Sequence, residues 1–150
     1  SLRLTHIAMA NCEVSEGVVL RNQLILGMGF ESLPIYRQFG IGGLGSVSAQ
    51  GYKSQVGNHM SQMNTELVFT EEFTENWFMV KLFYDAGIAF NSSDLVDMGT
   101  ISEQSDTLLQ SAGIGFGWDD GDGLKMGFNF AKPLGNDGPI ESTVRLNFNF

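Results

Sequence analysis

Hydrophobic and polar residues alternate one by one through most of this chain. In Thr143–Phe150, "TVRLNFNF", Val144, Leu146, Phe148 and Phe150 fall on one side, and Thr143, Arg145, Asn147 and Asn149 on the other. A period of two is the mark of a pleated strand, whose side chains point alternately to its two faces. The same reading predicts strands at about 2–11, 18–30, 60–71, 77–90, 108–118, 124–133 and 142–150, with turn-forming residues between them. No long segment carries the 3.6-residue apolar repeat of a helix.

Each strand separates into two faces. From Trp77 to Phe90, one face holds Phe78, Val80, Leu82, Tyr84, Ala86, Ile88 and Phe90; the other holds Lys81, Asp85 and Gly87, with Met79, Phe83 and Ala89 between them. In Leu124–Lys132, Leu124, Met126, Phe128 and Phe130 oppose Lys125, Gly127, Asn129 and Ala131. In Ser111–Trp118, Ala112, Ile114, Phe116 and Trp118 oppose Ser111, Gly113, Gly115 and Gly117. The first strand is the weakest, because His6 and Ala8 dilute its apolar face.

The second face decides between fold classes. The solvent face of a soluble β-sandwich carries many Lys, Glu and Thr side chains, whereas here it is built from Gly, Asn, Ser and isolated charges. Small polar residues suit the crowded, wet interior of a barrel whose outer face meets lipid. The expectation is an all-β, antiparallel transmembrane β-barrel, with a soluble β-domain as the alternative. The connections alternate in length: short at Asn11–Gly17, Glu72–Asn76 and Asp119–Gly123, and longer at Glu31–His59, Asn91–Thr107 and Pro133–Glu141. Outer-membrane barrels have short periplasmic turns and longer external loops. This orientation places Phe150 at the periplasmic rim, where an aromatic residue fits the interfacial girdle.

Composition narrows the picture. The 150 residues make one domain or part of one, and the start at Ser1 suggests a mature or truncated product. Nineteen Gly, twelve Phe and three Pro accord with an all-β chain. No stretch of about 18 apolar residues provides a spanning helix, which leaves spanning strands of about 9–11 residues open. A net charge of −9 argues against nucleic acid as a partner. Cys12 is the single cysteine, so neither an internal disulfide nor a cysteine-based zinc site is expected.

Five stretches together carry a resemblance: "LPIYRQFGIGGLGSVSAQGY" (Leu33–Tyr52), "NTELVF" (Asn64–Phe69), "LFYDAGIAF" (Leu82–Phe90), "SAGIGFGW" (Ser111–Trp118) and "FNFAKPLG" (Phe128–Gly135). In order and spacing the chain resembles the C-terminal part of the Bam-type and two-partner-secretion-type outer-membrane translocator barrels, the bacterial surface antigen superfamily. The resemblance implies a bacterial outer-membrane location and a role in inserting outer-membrane proteins or exporting a polypeptide. It also implies that the terminal strand, with Val144, Leu146, Phe148 and Phe150, is read by assembly machinery. The implied partners are outer-membrane lipid, a client polypeptide, and a second copy or further barrel strands.

In that family the long loop folds back into the lumen, and an Arg at its tip pairs with acidic residues of the inner wall. Carried over, the tip is Ala49-Gln50-Gly51-Tyr52, and Glu66 and Asp85 take the wall positions. Alternation alone places both carboxylates on the inward face, where each needs water, a donor or a cation; Lys81, on the same face, is one such partner. Gln50 stands where the family has Arg, and it brings no charge and no guanidinium fork. The family barrel has roughly sixteen strands and preceding transport-associated domains; seven are counted here. Either the chain is part of a longer protein, or an eighth strand lies in Glu31–His59, or another chain completes the wall, since a strand edge cannot face lipid unpaired.

Other motifs carry no chemistry. "WDDGDG" (Trp118–Gly123) lacks the closing Glu of a calcium loop and reads as a turn. His6 and His59 have no second ligand at metal spacing. Ser46 and Ser48 lie in no nucleophile elbow, and the Gly-rich loop around them lacks the Lys of a phosphate-binding loop. No catalytic residue, metal or cofactor is expected. The reading is a translocator-type barrel, or else a barrel that anchors or exports an attached enzyme domain.

Overall fold

A computed structural model describes residues 2–43, 46–51, 54–70, 72, 78–91, 108–119 and 123–148. Most of the Asn91–Thr107 loop and of the Glu72–Asn76 and Asp119–Gly123 turns lies outside the described residues, as do Tyr52, Lys53 and Phe150.

Among the described residues there are nine strands, of which seven form one sheet and two short ones stand apart. In chain order they are β1 (Leu2–Ser15), β2 (Val18–Phe30), β3 (Phe39–Ile41), β4 (Gln55–Gly57), β5 (His59–Phe69), β6 (Phe78–Phe90), β7 (Leu109–Asp119), β8 (Leu124–Leu134) and β9 (Glu141–Phe148). The large sheet runs β1-β2-β5-β6-β7-β8-β9, with every neighbouring pair antiparallel. The chain is therefore all-β, and the sheet is open and antiparallel, each strand pairing with its neighbours in up-and-down order. β1 and β9 are its edges and do not pair with each other.

Two expectations change. The first strand reaches Ser15 rather than Asn11, which shrinks the first connection to Glu16–Gly17. Alternation continues through Cys12 until a bulge between Glu13 and Ser15 shifts the register, and Gly17, at φ 75°, makes the reversal. Among the described residues between Glu31 and His59, no eighth strand joins the sheet. β3 and β4 pair only with each other, as a small hairpin in the long loop.

The register assigns the faces. Val19, Arg21, Gln23, Ile25 and Gly27 of β2 lie beside Val68, Glu66, Asn64, Gln62 and Met60 of β5, and these beside Lys81, Phe83, Asp85, Gly87 and Ala89 of β6. On the opposite face Leu24, Leu26, Met28, Phe30, Leu82, Phe116, Phe128, Phe130, Val144 and Leu146 are all exposed. So continuous an exposed apolar surface, with the polar groups turned to the other side, is the arrangement of a barrel wall in lipid.

The densest packing lies on the other, mixed face. Leu33, Phe39, Ile41 and Val47 of the long loop bury themselves against Met60 of the wall, with Ile25, Ala89 and Leu109 alongside. Wall glycines make room for them. A Cβ on Gly27 would sit 2.6 Å from the Phe39 ring and from Met60 Cγ, and one on Gly87 would sit 2.9 Å from Ile41. Burying side chains of this size contributes about 1.5–3 kcal/mol each, enough to hold a loop down without any charged contact.

Candidate functional site: the loop docked on the inner wall

The loop leaves β2 through Glu31, at φ 71°, and both its ends are tied at the sheet rim. Asn58 is the knot. Its side-chain oxygen accepts the Leu33 N–H at 3.0 Å, its carbonyl accepts the Gly29 N–H at 2.8 Å, and its own N–H donates to Asn91 Oδ1 at 3.1 Å. A 3-10 turn at Ile35–Arg37 leads into the β3–β4 hairpin. On the β1 side, the Arg3 guanidinium lies 4.0 Å from the centre of the Phe39 ring, a cation–π contact over the edge of the loop.

Beyond the hairpin the tip turns sharply at Gly42 and Gly43, at φ 116° and 95°. Ser46 Oγ accepts the Gly42 N–H at 3.1 Å and donates to Gln62 Oε1 on β5 at 2.8 Å. Gln62 Nε2 donates to Asn64 Oδ1 at 2.7 Å, and Asn64 Nδ2 donates both to the Ser46 carbonyl at 2.7 Å and to Asp85 Oδ1 at 2.8 Å. Asp85 Oδ2 accepts the Ser48 backbone N–H at 3.3 Å. The result is a chain of hydrogen bonds joining the tip to β5 and β6, with Asp85 and Gln62 buried at 6% and 3% exposure. A carboxylate in such a place is tolerable because donors reach both of its oxygens.

The carboxylates and tip residues singled out in the sequence fall in different places. Asp85 meets the loop through Ser48. Glu66 makes no hydrogen bond to the described part of the loop and pairs with Lys81 at 3.3 Å. Gln50 is buried but reaches neither carboxylate: its amide nitrogen donates to the Gln110 carbonyl at 2.8 Å, and its oxygen accepts from Asn136 Nδ2 at 3.3 Å. Gly51 accepts the Ser54 N–H at 3.0 Å, while Tyr52 lies outside the described residues. Val144 and Leu146 are exposed on the outer face of the edge strand β9, and Phe148 pairs in register with Leu124.

Sequence reasoning missed Ser46, Ser48, Gln62, Asn64, Asn58 and Asn136. Gln62 and Asn64 share the inward parity of Glu66, so alternation was a signal for them. Nothing in the pattern marks the Ser48 N–H or the Gln110 carbonyl, because backbone groups carry no sequence label.

The profile of the Omp85 superfamily domain matches residues 7–150, nearly the whole sheet and the entire loop. The chain belongs to the Omp85 superfamily. Omp85 proteins are translocator-type outer-membrane components, in keeping with the lipid-suited outer face described above. No curated protein matches the chain.

Proposed function

We propose that this Omp85 chain is the C-terminal part of a translocator barrel of the bacterial outer membrane, and that it acts on polypeptides by binding and passage rather than by making or breaking bonds. A client strand adds to the free edge of β9, next to the terminal strand's lipid face, by backbone pairing. The loop of residues 31–58, held by Asp85 through Ser48, blocks the loop end of the interior meanwhile.

The observation that carries this reading is the outer edge of β9, which no described strand pairs, beside an exposed apolar face. A row of open N–H and C=O groups next to hydrocarbon is unstable until another strand covers it. The occupant is a client strand, a second copy or further strands of the same barrel. Disulfide trapping separates them. In a Cys12→Ser background, single cysteines along Ser142–Asn147 are paired with cysteines along the terminal strand of a barrel client during its assembly. The proposal expects crosslinks to the client at alternate positions in one register. Crosslinks only within the chain's own protein, with none to clients, would leave a structural seam and overturn the insertion role.

A second reading, a barrel that anchors or exports an attached domain, is favoured by Gln50. The tip residue makes only neutral hydrogen bonds and touches neither wall carboxylate. Absence of client crosslinks together with normal membrane insertion is the result this reading expects.

A further inference from the structure

The trough has a second polar region, beyond the docked loop and near the turn end of the strands. Lys81, Lys125 and Arg145 converge there on a cavity of about 220 Å³, joined by the amides of Asn129 and Asn147. Among the described residues, no Asp or Glu lines it. This is unexpected for a chain of net charge −9 with only eight Lys and Arg in total.

The register explains the convergence. Lys81 stands beside Gly115 and Gly115 beside Asn129; one step along, Gly117 stands beside Gly127 and Gly127 beside Arg145; Lys125 stands beside Asn147. Glycines thus leave the floor bare between the cations. A Cβ on Gly115 would lie 2.7 Å from Lys81 Cε and 2.4 Å from Asn129 Oδ1, so these two side chains lean over it from both sides. Two of the cations already hold carboxylates that lie outside the cavity, Lys81 with Glu66 at 3.3 Å and Lys125 with Asp119 at 3.4 Å. Arg145 also borders the adjoining cavity, where Glu66 and Glu141 stand, yet it forms an ion pair with neither. Its guanidinium fork has room for a planar or tetrahedral oxyanion.

We propose that this end of the trough is an oxyanion-binding site, taking a phosphate or carboxylate group on Arg145 with Lys81, Lys125 and Asn129 around it. The ligand class follows from the donor set lining the cavity, two ammonium groups, one guanidinium and carboxamide N–H groups; because Glu66 and Asp119 stand beside the two ammonium groups, Arg145 carries the largest share of the attraction. The site is open to water, which keeps the affinity modest and salt-sensitive.

The test is calorimetric titration of the full chain, refolded in detergent at low salt, with sodium phosphate and with a hexaglutamate peptide. The proposal expects saturable binding with a dissociation constant on the order of 1 mM. Arg145→Gln is expected to weaken it about tenfold, the scale of one lost charge contact, Arg145→Lys much less, and Lys132→Gln, on the opposite face of β8, not at all. Tighter binding of phosphate identifies a phosphate-bearing ligand; tighter binding of hexaglutamate identifies an acidic peptide. Saturation by neither anion, or equal binding by wild type, Arg145→Gln and Lys125→Gln, would overturn the proposal.

Discussion

Asp85 on β6 accepts the backbone N–H of Ser48 at 3.3 Å, so a wall carboxylate holds the main chain of the lumen loop rather than a charged side chain at its tip. With Asn64 donating to the other oxygen, removing this one carboxylate leaves two donors without their acceptor. Asp85→Ala is expected to destabilise the docked loop by about 1–3 kcal/mol, the cost of stranding buried donors. Asp85→Asn, which keeps one acceptor, is expected to cost less. Limited proteolysis of the loop in detergent, read as a rate of cutting within residues 42–54, measures both.

Glu66 is expected to behave differently. It pairs with Lys81 and makes no hydrogen bond to the described part of the loop. A double-mutant cycle with Glu66→Gln and Lys81→Met is expected to give a coupling of about 0.2–1 kcal/mol, the range of a hydrated ion pair. In planar-bilayer recordings, Asp85→Ala is expected to raise the conductance or its fluctuations, and Glu66→Gln to leave the loop-dependent part unchanged.

The loop's apolar side chains are expected to outweigh its polar ties. Phe39 is 1% exposed and packs on the bare backbone of Gly27. Phe39→Ala is expected to cost about 3–5 kcal/mol of loop docking, more than Asp85→Ala. The seven-stranded sheet is expected to persist in this variant, since its ladder pairs involve no loop residue. Comparing loop proteolysis with the heat-modified mobility of the folded barrel on gels separates the two effects.

Gly27 provides the converse test. Gly27→Leu puts a side chain where Phe39 and Met60 now stand, and the overpacking is expected to cost about 1–3 kcal/mol. Tryptic cutting of the loop should rise, by less than in Phe39→Ala, with insertion of the wall intact.

Much of this was legible in the sequence. The inward placement of Lys81, Asp85 and Gly87 and the outward placement of Phe78, Leu82 and Phe90 follow from parity alone, because one slip of register would reverse every side chain. The bulge after Glu13 was not legible, since Asn11, Glu13 and Ser15 read equally well as turn residues. The fate of the loop was only half legible. Gly87 reads as a small lumen-facing residue, but the role of Gly27 and Gly87 as seats for Phe39, Ile41 and Val47 appears only once the loop folds over them. Parity also placed Glu66 and Asp85 on one face. It gave no way to tell that one would meet the loop backbone and the other a lysine.

The central claim is that this wall turns its apolar face to lipid and its mixed face to a loop-filled, hydrated interior. Spin labels placed singly along Phe78–Phe90 in bilayers test it most directly. The account predicts high oxygen accessibility at 78, 80, 82, 84, 88 and 90 and low oxygen accessibility at 81, 83, 85, 87 and 89, with polar nickel reagent reaching position 81 at the open end but not 87 beneath the loop. Accessibility that fails to alternate, or label at 87 as open to nickel as label at 81, would contradict it.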